Sequence, residues 1–268
     1  MKIFLEKLLI QLLTFVNGFP TSRTNINELR SLITSLHPIK TTPKLIRLGP
    51  EGDGGYLIPN DIHDIKTLFS PGVSCESGFE KDCADLGLQV FMVDASVETP
   101  TIMHKSFVFK RKFIGSTSRD IHITLDDWVD TSIKSRDSEL ILQIDIEGAE
   151  YGAFLAASPF LMSRFRIIVV EFHQLDQLWN RPFFNLAKQA FEKILYTHSC
   201  VHIHPNNYSK VIKAAGLEIP EIMEFTFYRN DRCKQRDYQL SYPHKLDCDN
   251  TSKPPMTLPQ CWYHKSET

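Results

Sequence analysis

The sharpest change of hydrophobic period in the chain falls at residues 138–151, Ser-Glu-Leu-Ile-Leu-Gln-Ile-Asp-Ile-Glu-Gly-Ala-Glu-Tyr. Leu140, Ile141, Leu142, Ile144 and Ile146 form a near-continuous apolar run, the pattern of a strand covered on both faces in a parallel sheet. Asp145, Glu147 and Glu150 gather at its carboxyl end, and Gly148 releases the backbone into a helix predicted from Ala149 to Met162. In open α/β sheets ligands bind outside the carboxyl ends of the strands, so these acids stand where chemistry is usual.

The same alternation extends in both directions. Lys66–Val73 reads as a strand running into a turn at Gly72, Ser77–Leu86 as a helix, and Leu88–Asp94 as a strand ending in an acid. Ser106–Ile114 gives a third strand, and Thr124 is placed to N-cap a helix opening at Leu125. Beyond the central strand come Arg166–His173, a helix over Phe183–Tyr196, and strands over Cys200–Asn207 and Glu224–Arg229 that pair as a closing hairpin. By the two-residue strand period, Glu171 and His173 share one side, as do His202 and His204. The pattern predicts an α/β, Rossmann-like domain with a mostly parallel seven-stranded sheet and a C-terminal antiparallel hairpin.

Ahead of this core, residues 26–36 predict an amphipathic helix ended by His37-Pro38. The stretch from Leu45 to Pro59 carries four glycines in Gly49–Gly55. It reads either as a hairpin turning at Asp53-Gly54 or as a loop closing over a ligand, with Arg47 available to a carboxylate or phosphate. Residues 1–20 hold the apolar run Leu8–Val16 and then Asn17, Gly18 and Pro20. That run suits a signal or anchor, or a packed helix. Residues 21–230 form the expected catalytic domain, and 231–268 a Cys- and Pro-containing tail that wraps it or hangs from it.

Composition narrows the partners. A formal net charge of −2 gives no general attraction to nucleic acid, and the membrane is approached only through the N-terminal segment. Oligomeric state stays open. Six cysteines, Cys75, Cys83, Cys200, Cys233, Cys248 and Cys261, lack the short paired spacing of a zinc site. Four of them lie in the last third, where disulfides would hold a tail with little core. With the sequons Asn207-Tyr208-Ser209 and Asn250-Thr251-Ser252, they point to the secretory lumen or secretion, with the cytoplasm as the alternative.

Strand, glycine turn, helix, strand and terminal acid, with Asp94 placed 22 residues after Gly72, is the layout by which Rossmann-like domains hold a nucleoside. The order of elements resembles a class I S-adenosylmethionine-dependent methyltransferase. At Ile144-Asp145-Ile146-Glu147-Gly148-Ala149-Glu150 and Val170-Glu171-Phe172-His173 the resemblance narrows to the FkbM-like family. Arg47-Leu48-Gly49, Gly54-Gly55-Tyr56 and Ser70-Pro71-Gly72-Val73 look like its methyltransferase-like animal and nematode branch. The resemblance covers roughly residues 44–230 and implies methyl transfer from S-adenosylmethionine to an oxygen of a small-molecule or glycan acceptor. It implies Arg47, Gly54, Gly55, Tyr56, Ser70 and Gly72 near the cofactor, with Gly72 beside its methionine part. Asp94 is expected on the ribose hydroxyls and Asp126 near the adenine. The turn Ser70-Pro71-Gly72-Val73-Ser74 is poorer in glycine than the usual first motif, which keeps a non-catalytic lumenal binding protein as a rival.

For the chemistry itself, Asp145 and His173 are the expected catalytic pair, because neighbouring strands bring their carboxyl ends together. A divalent ion held by Asp145, Glu147, His173 and His204 is the second reading, which also admits a metal-dependent hydrolase. Each has a structural competitor: Glu147 as a helix cap, His173 as a buried hydrogen-bonded side chain, and His202 and His204 as structural groups.

Overall fold

The structure, a computed structural model, describes residue 10 and residues 21–135, 139–234 and 236–264. The N-terminal signal or anchor segment lies, Ile10 apart, outside the described residues. Among those described, no helix is long and apolar enough to cross a membrane.

Helix α1 (Ile26–Ser35), capped by Asn25 through the amides of Asn27 and Glu28, precedes a hairpin of β1 (Leu45–Leu48) and β2 (Tyr56–Pro59). The βα succession then runs β3 (Thr67–Pro71), α2 (Gly78–Asp85), β4 (Gln89–Val93) and β5 (Phe107–Lys110). Short strands β6 (Phe113–Ile114) and β7 (His122–Ile123) pair with each other, and α3 (Leu125–Ser132) follows with Thr124 as its N-cap. Next come β8 (Leu140–Ile144), α4 (Glu150–Ala156), α5 (Pro159–Arg164), β9 (Phe165–Phe172) and α6 (Arg181–Thr197). Strand β10 (His198–Pro205), a ribbon of β11 (Val211–Ala214) and β12 (Leu217–Pro220), and β13 (Met223–Arg229) complete the domain.

Seven strands form one sheet in the order β10-β13-β9-β8-β3-β4-β5. The five from β9 to β5 are mutually parallel. Strand β13 runs antiparallel to both β9 and β10, giving the expected closing hairpin. Every residue of β8 and β9 is buried, and the two-residue period divides them between two cores. Leu142, Ile144, Ile168 and Val170 face the core built with α1, α4 and α6. Ile141, Ile167 and Val169 face the core under α2 and the β1–β2 hairpin. Chain direction through the sheet reverses between β3 and β8, so their carboxyl ends open a crevice.

Two predicted elements divide. The strand expected over Ser106–Ile114 stops at Lys110, and Phe113–Ile114 leaves the sheet to pair with β7. The helix expected over Ala149–Met162 breaks at Ala157, where Ser158 caps a new helix opening with Pro159; a proline there lacks only an amide that has no intrahelical partner. Asp126 supports the break by accepting the Ser158 amide at 2.8 Å.

The tail wraps the domain. Gln239 donates its amide to Pro38 O at 2.8 Å, and Trp262 is fully buried with Nε1 on Glu218 O. The disulfides expected of the tail are absent: all six cysteines are free. They lie on different elements, and Cys200, Cys233, Cys248 and Cys261 turn their thiols to backbone carbonyls. Neither expected glycosylation site is open. Asn207 is 4 % exposed with Nδ2 on Thr251 O and Lys253 O, while Asn250 Nδ2 donates to Glu224 and Asp53. Both side-chain amides are thus engaged within the fold.

Candidate active site

The crevice holds two cavities that share a wall. The larger, about 360 Å³, is lined by Val93, Asp94, Ser96, Phe113, Ile114 and His122, with Gly72 and Ser74 on one side and Asp145–Glu147 on the other. The smaller, about 150 Å³, has Asp53, Gly54, Tyr56, Glu76, Glu80 and Gln143 around it. Gly72, Ser74, Asp145 and Glu147 border both. Gly72 has φ +86, and a Cβ there would stand 1.5 Å from the Asp145 carbonyl oxygen. Only glycine lets the end of β3 approach the end of β8 this closely.

Asp94 ends β4 and organises the neighbouring turns. One carboxylate oxygen accepts the Ser74 amide at 2.9 Å, the other the Ser96 amide at 2.7 Å and hydroxyl at 2.6 Å. Two carboxylate oxygens offer about four acceptor positions, so capacity remains for a ligand hydroxyl. Phe113 and His122, with ring centroids 5.9 Å apart, form the outer lip of the larger cavity. The strand reading over Ser106–Ile114 passed over them, although the basic triplet Lys110-Arg111-Lys112 stands where the chain leaves the sheet.

Glu150 builds the loop after β8. Fully buried, its Oε1 accepts the amides of Ile146 at 3.1 Å and Gly148 at 3.0 Å and contacts His173 Nδ1 at 3.2 Å. Glu147, expected as a helix cap in one reading, instead occupies the left-handed region at φ +57 and is largely exposed. The reading from sequence missed Glu150 as an organising group, although its place in the Glu-Gly-Ala-Glu string was visible.

His173 Nε2 faces Glu147 Oε2 at 3.3 Å and Asp145 Oδ1 at 3.9 Å. Burial opposes its charge, but the Glu150 hydrogen bond and the charges of Glu150, Asp145 and Glu171 raise its pKa to about 9. Burial, then the Glu171 charge, raises Asp145 well above the usual carboxylate range. Asp145 and His173 thus come together as the sequence indicated, and Glu147 joins them within 4.8 Å. His204 does not. It pairs with the tail, its Nδ1 3.8 Å from Asp247 Oδ2, beside the 2.9 Å contact of His202 with Oδ1 of the same carboxylate.

Other expected site residues are placed elsewhere. Arg47 donates Nε to Pro50 O and Nη2 to Gly52 O, holding its own loop in place of a ligand carboxylate or phosphate. Gly55 packs against that guanidinium and lines neither cavity. Asp126 is committed to Ser158 and does not reach the larger cavity. Ser70 lies beneath the smaller one, hydrogen-bonded to Glu80 and to Gln143 Oε1 at 2.6 Å, while Gln143 Nε2 donates to Tyr56 at 3.3 Å. Gly54, Tyr56, Gly72 and Asp94 do face the cavities.

Comparison with known families decides the class. The Methyltransferase FkbM domain matches residues 87–227, just over half of the chain. The chain belongs to the FkbM methyltransferase family. In this FkbM methyltransferase the matched span carries Asp94, Asp145, Glu147, Glu150, Glu171 and His173. The glycine-rich hairpin loop and Gly72 precede it. The crystal structure of a candidate RNA methyltransferase from Pyrococcus horikoshii is similar at 13 % identity, covering 76 % of this chain and 95 % of that one with a TM-score of 0.32. No curated protein matches the chain.

Proposed function

We propose that this FkbM methyltransferase moves a methyl group from S-adenosylmethionine to a hydroxyl oxygen, with a sugar hydroxyl of a glycan as the acceptor class. The observation that carries the proposal is the shared wall, which sets an apolar cleft ending in Asp94 directly beside a polar cavity. A cofactor with a nucleoside at one end and a reactive sulfonium at the other fits the larger cleft, whose volume lies in the range of small-molecule sites. Asp94 would accept from the ribose hydroxyls, and Phe113 and Ile114 would cover the base. Gly72, with no side chain to intrude, would border the methionine part. When bound, the cofactor supplies an electrophilic methyl carbon.

The acceptor hydroxyl would enter from the smaller cavity, where Tyr56, Gln143 and the carboxylates offer hydrogen-bonding groups of the kind polyols use. Asp145 would take the proton that the acceptor hydroxyl gives up as it gains the methyl group. Burial raises the basicity of the Asp145 carboxylate, and proton transfer to a positioned general base is worth roughly 10²–10⁴-fold in rate. His173, held through Nδ1 by Glu150, fixes the position of Asp145 and balances its charge.

Calorimetric titration of S-adenosylmethionine into the purified protein tests the reading. Saturable binding to the wild type, weakened at least tenfold in Asp94→Ala with the fold retained by circular dichroism, is expected. No binding to the wild type, or equal binding to both proteins, overturns it.

A further inference from the structure

We propose that Asp145, Glu147 and His173 form a divalent-cation site in the wall between the two cavities. Their ligand atoms, two carboxylate oxygens and one imidazole nitrogen, lie within 4.8 Å of one another. An ion at their centre would touch all three after side-chain movements that the exposed Glu147 can make, displacing the Nε2 proton of His173 to solvent as it binds.

Three observations separate this group from a chance gathering of acids. First, His173 is 8 % exposed and built into place: Nδ1 is committed to Glu150, so Nε2 is the nitrogen left facing the carboxylates. Metal-binding histidines characteristically commit their other ring nitrogen to a carboxylate or carbonyl, which fixes the tautomer and the ring plane. Second, Asp145 Oδ1 is buried without a hydrogen-bond partner among the described residues, on the His173 side of a carboxyl that also meets Glu171. A buried oxygen left unsatisfied is costly, and a cation would satisfy it. Third, Glu147 is held at φ +57 on the loop that Glu150 pins. That conformation is uncommon for a residue with a side chain, and it brings the Glu147 carboxylate back to His173.

Carboxylate oxygens with one imidazole suit a borderline-hard ion of the Mn²⁺ type. Three protein donors leave coordination positions open toward the smaller cavity. What the ion does there rests on the methyl-transfer reading: a bound hydroxyl would be more acidic, so less basicity would be required of Asp145. Whether the ion binds does not rest on that reading.

Electron paramagnetic resonance of Mn²⁺ titrated into chelator-treated full-length protein at pH 7.5 tests the site. One ion bound per chain is expected, with affinity reduced at least tenfold in both Glu147→Gln and His173→Ala and unchanged in His204→Ala. Glu147 is a surface side chain, so Glu147→Gln keeps the test clear of misfolding even where His173→Ala does not. No Mn²⁺ binding to the wild type, or wild-type affinity in Glu147→Gln, overturns the site. Calorimetry of S-adenosylmethionine on the same metal-free preparation reads the cofactor proposal separately, so either can fail alone.

Discussion

Gly72 and Asp145 meet across the two strands that flank the crevice, with the Gly72 Cα so near the Asp145 carbonyl that an added methyl group would stand 1.5 Å from that oxygen. The contact joins the proposed cofactor turn to the proposed base. Gly72→Ala must push β3 and β8 apart at their carboxyl ends and strain a backbone at φ +86. We expect a loss of about 2–4 kcal/mol in urea-denaturation stability, together with loss of S-adenosylmethionine binding. A variant with wild-type stability would show that the contact relaxes freely.

Glu150 meets His173 at Nδ1, and on the proposed function it positions that imidazole. Glu150→Gln keeps an acceptor for the Ile146 and Gly148 amides but removes the charge beside the imidazole. The expected outcome is a fall in kcat of at least tenfold, with stability changed by only about 1 kcal/mol. In metal-free protein, nuclear magnetic resonance titration should find the His173 pKa lowered by at least a unit from about 9. Glu150→Ala, which leaves both amides unpartnered, should cost about 3 kcal/mol.

The smaller cavity has a floor that responds to pH. Burial raises Glu80 to about 7, against the lowering effect of its Ser70 hydrogen bond. The Ser70 hydroxyl has one proton and two acceptors in reach, so protonated Glu80 completes a chain of donors from Glu80 through Ser70 to Gln143. The folded-state pKa is raised above the unfolded one, so this contribution is fully present below about 4.5 and is lost as pH rises through about 7. The loss amounts to about 3 kcal/mol. Glu80→Gln should match the wild type in chemical denaturation at pH 5 and exceed it by most of that amount at pH 9. Parallel pH curves for the two proteins would refute the assignment.

Trp262 belongs to the core although it sits six residues from the chain end. It is fully buried, donates to Glu218 O at 3.0 Å and packs edge-on against Phe225. Trp262→Ala should lower stability by about 3–5 kcal/mol, read as a lower urea midpoint. A loss below about 1 kcal/mol would mean the wrapped tail contributes little to the domain.

Much of this arrangement was legible in the chain. The apolar run Leu140–Ile144 identified the central strand because burial on both faces leaves no polar face, and Asp94, Asp145 and His173 followed from their positions at strand ends. Periodicity did not separate Phe113 from the strand ending at Lys110, although the basic triplet Lys110-Arg111-Lys112 stands where the chain leaves the sheet. Nor does it mark a helix broken by a capping serine and proline whose flanks remain apolar, as at Ser158-Pro159. Arg47 and Asp126, both expected near the cofactor, hydrogen-bond to backbone in the fold for a common reason. A charged side chain near a glycine loop or helix start has both ligand and backbone within reach, and only the folded geometry shows that the backbone takes it. The cysteines and sequons were read from residue type alone, which shows neither that all six thiols stand free nor that the Asn207 and Asn250 amides are engaged within the fold.

Asn250 has a consequence in time. Its amide ties Asp53 at the rim of the smaller cavity to Glu224 on β13, at 3.2 and 2.6 Å. Every strand of the sheet is complete by Arg229, so synthesis delivers the whole scaffold before the residue that fastens the rim of the smaller cavity. A chain cut before Asn250 would thus carry the proposed cofactor cleft with an unlatched mouth beside it.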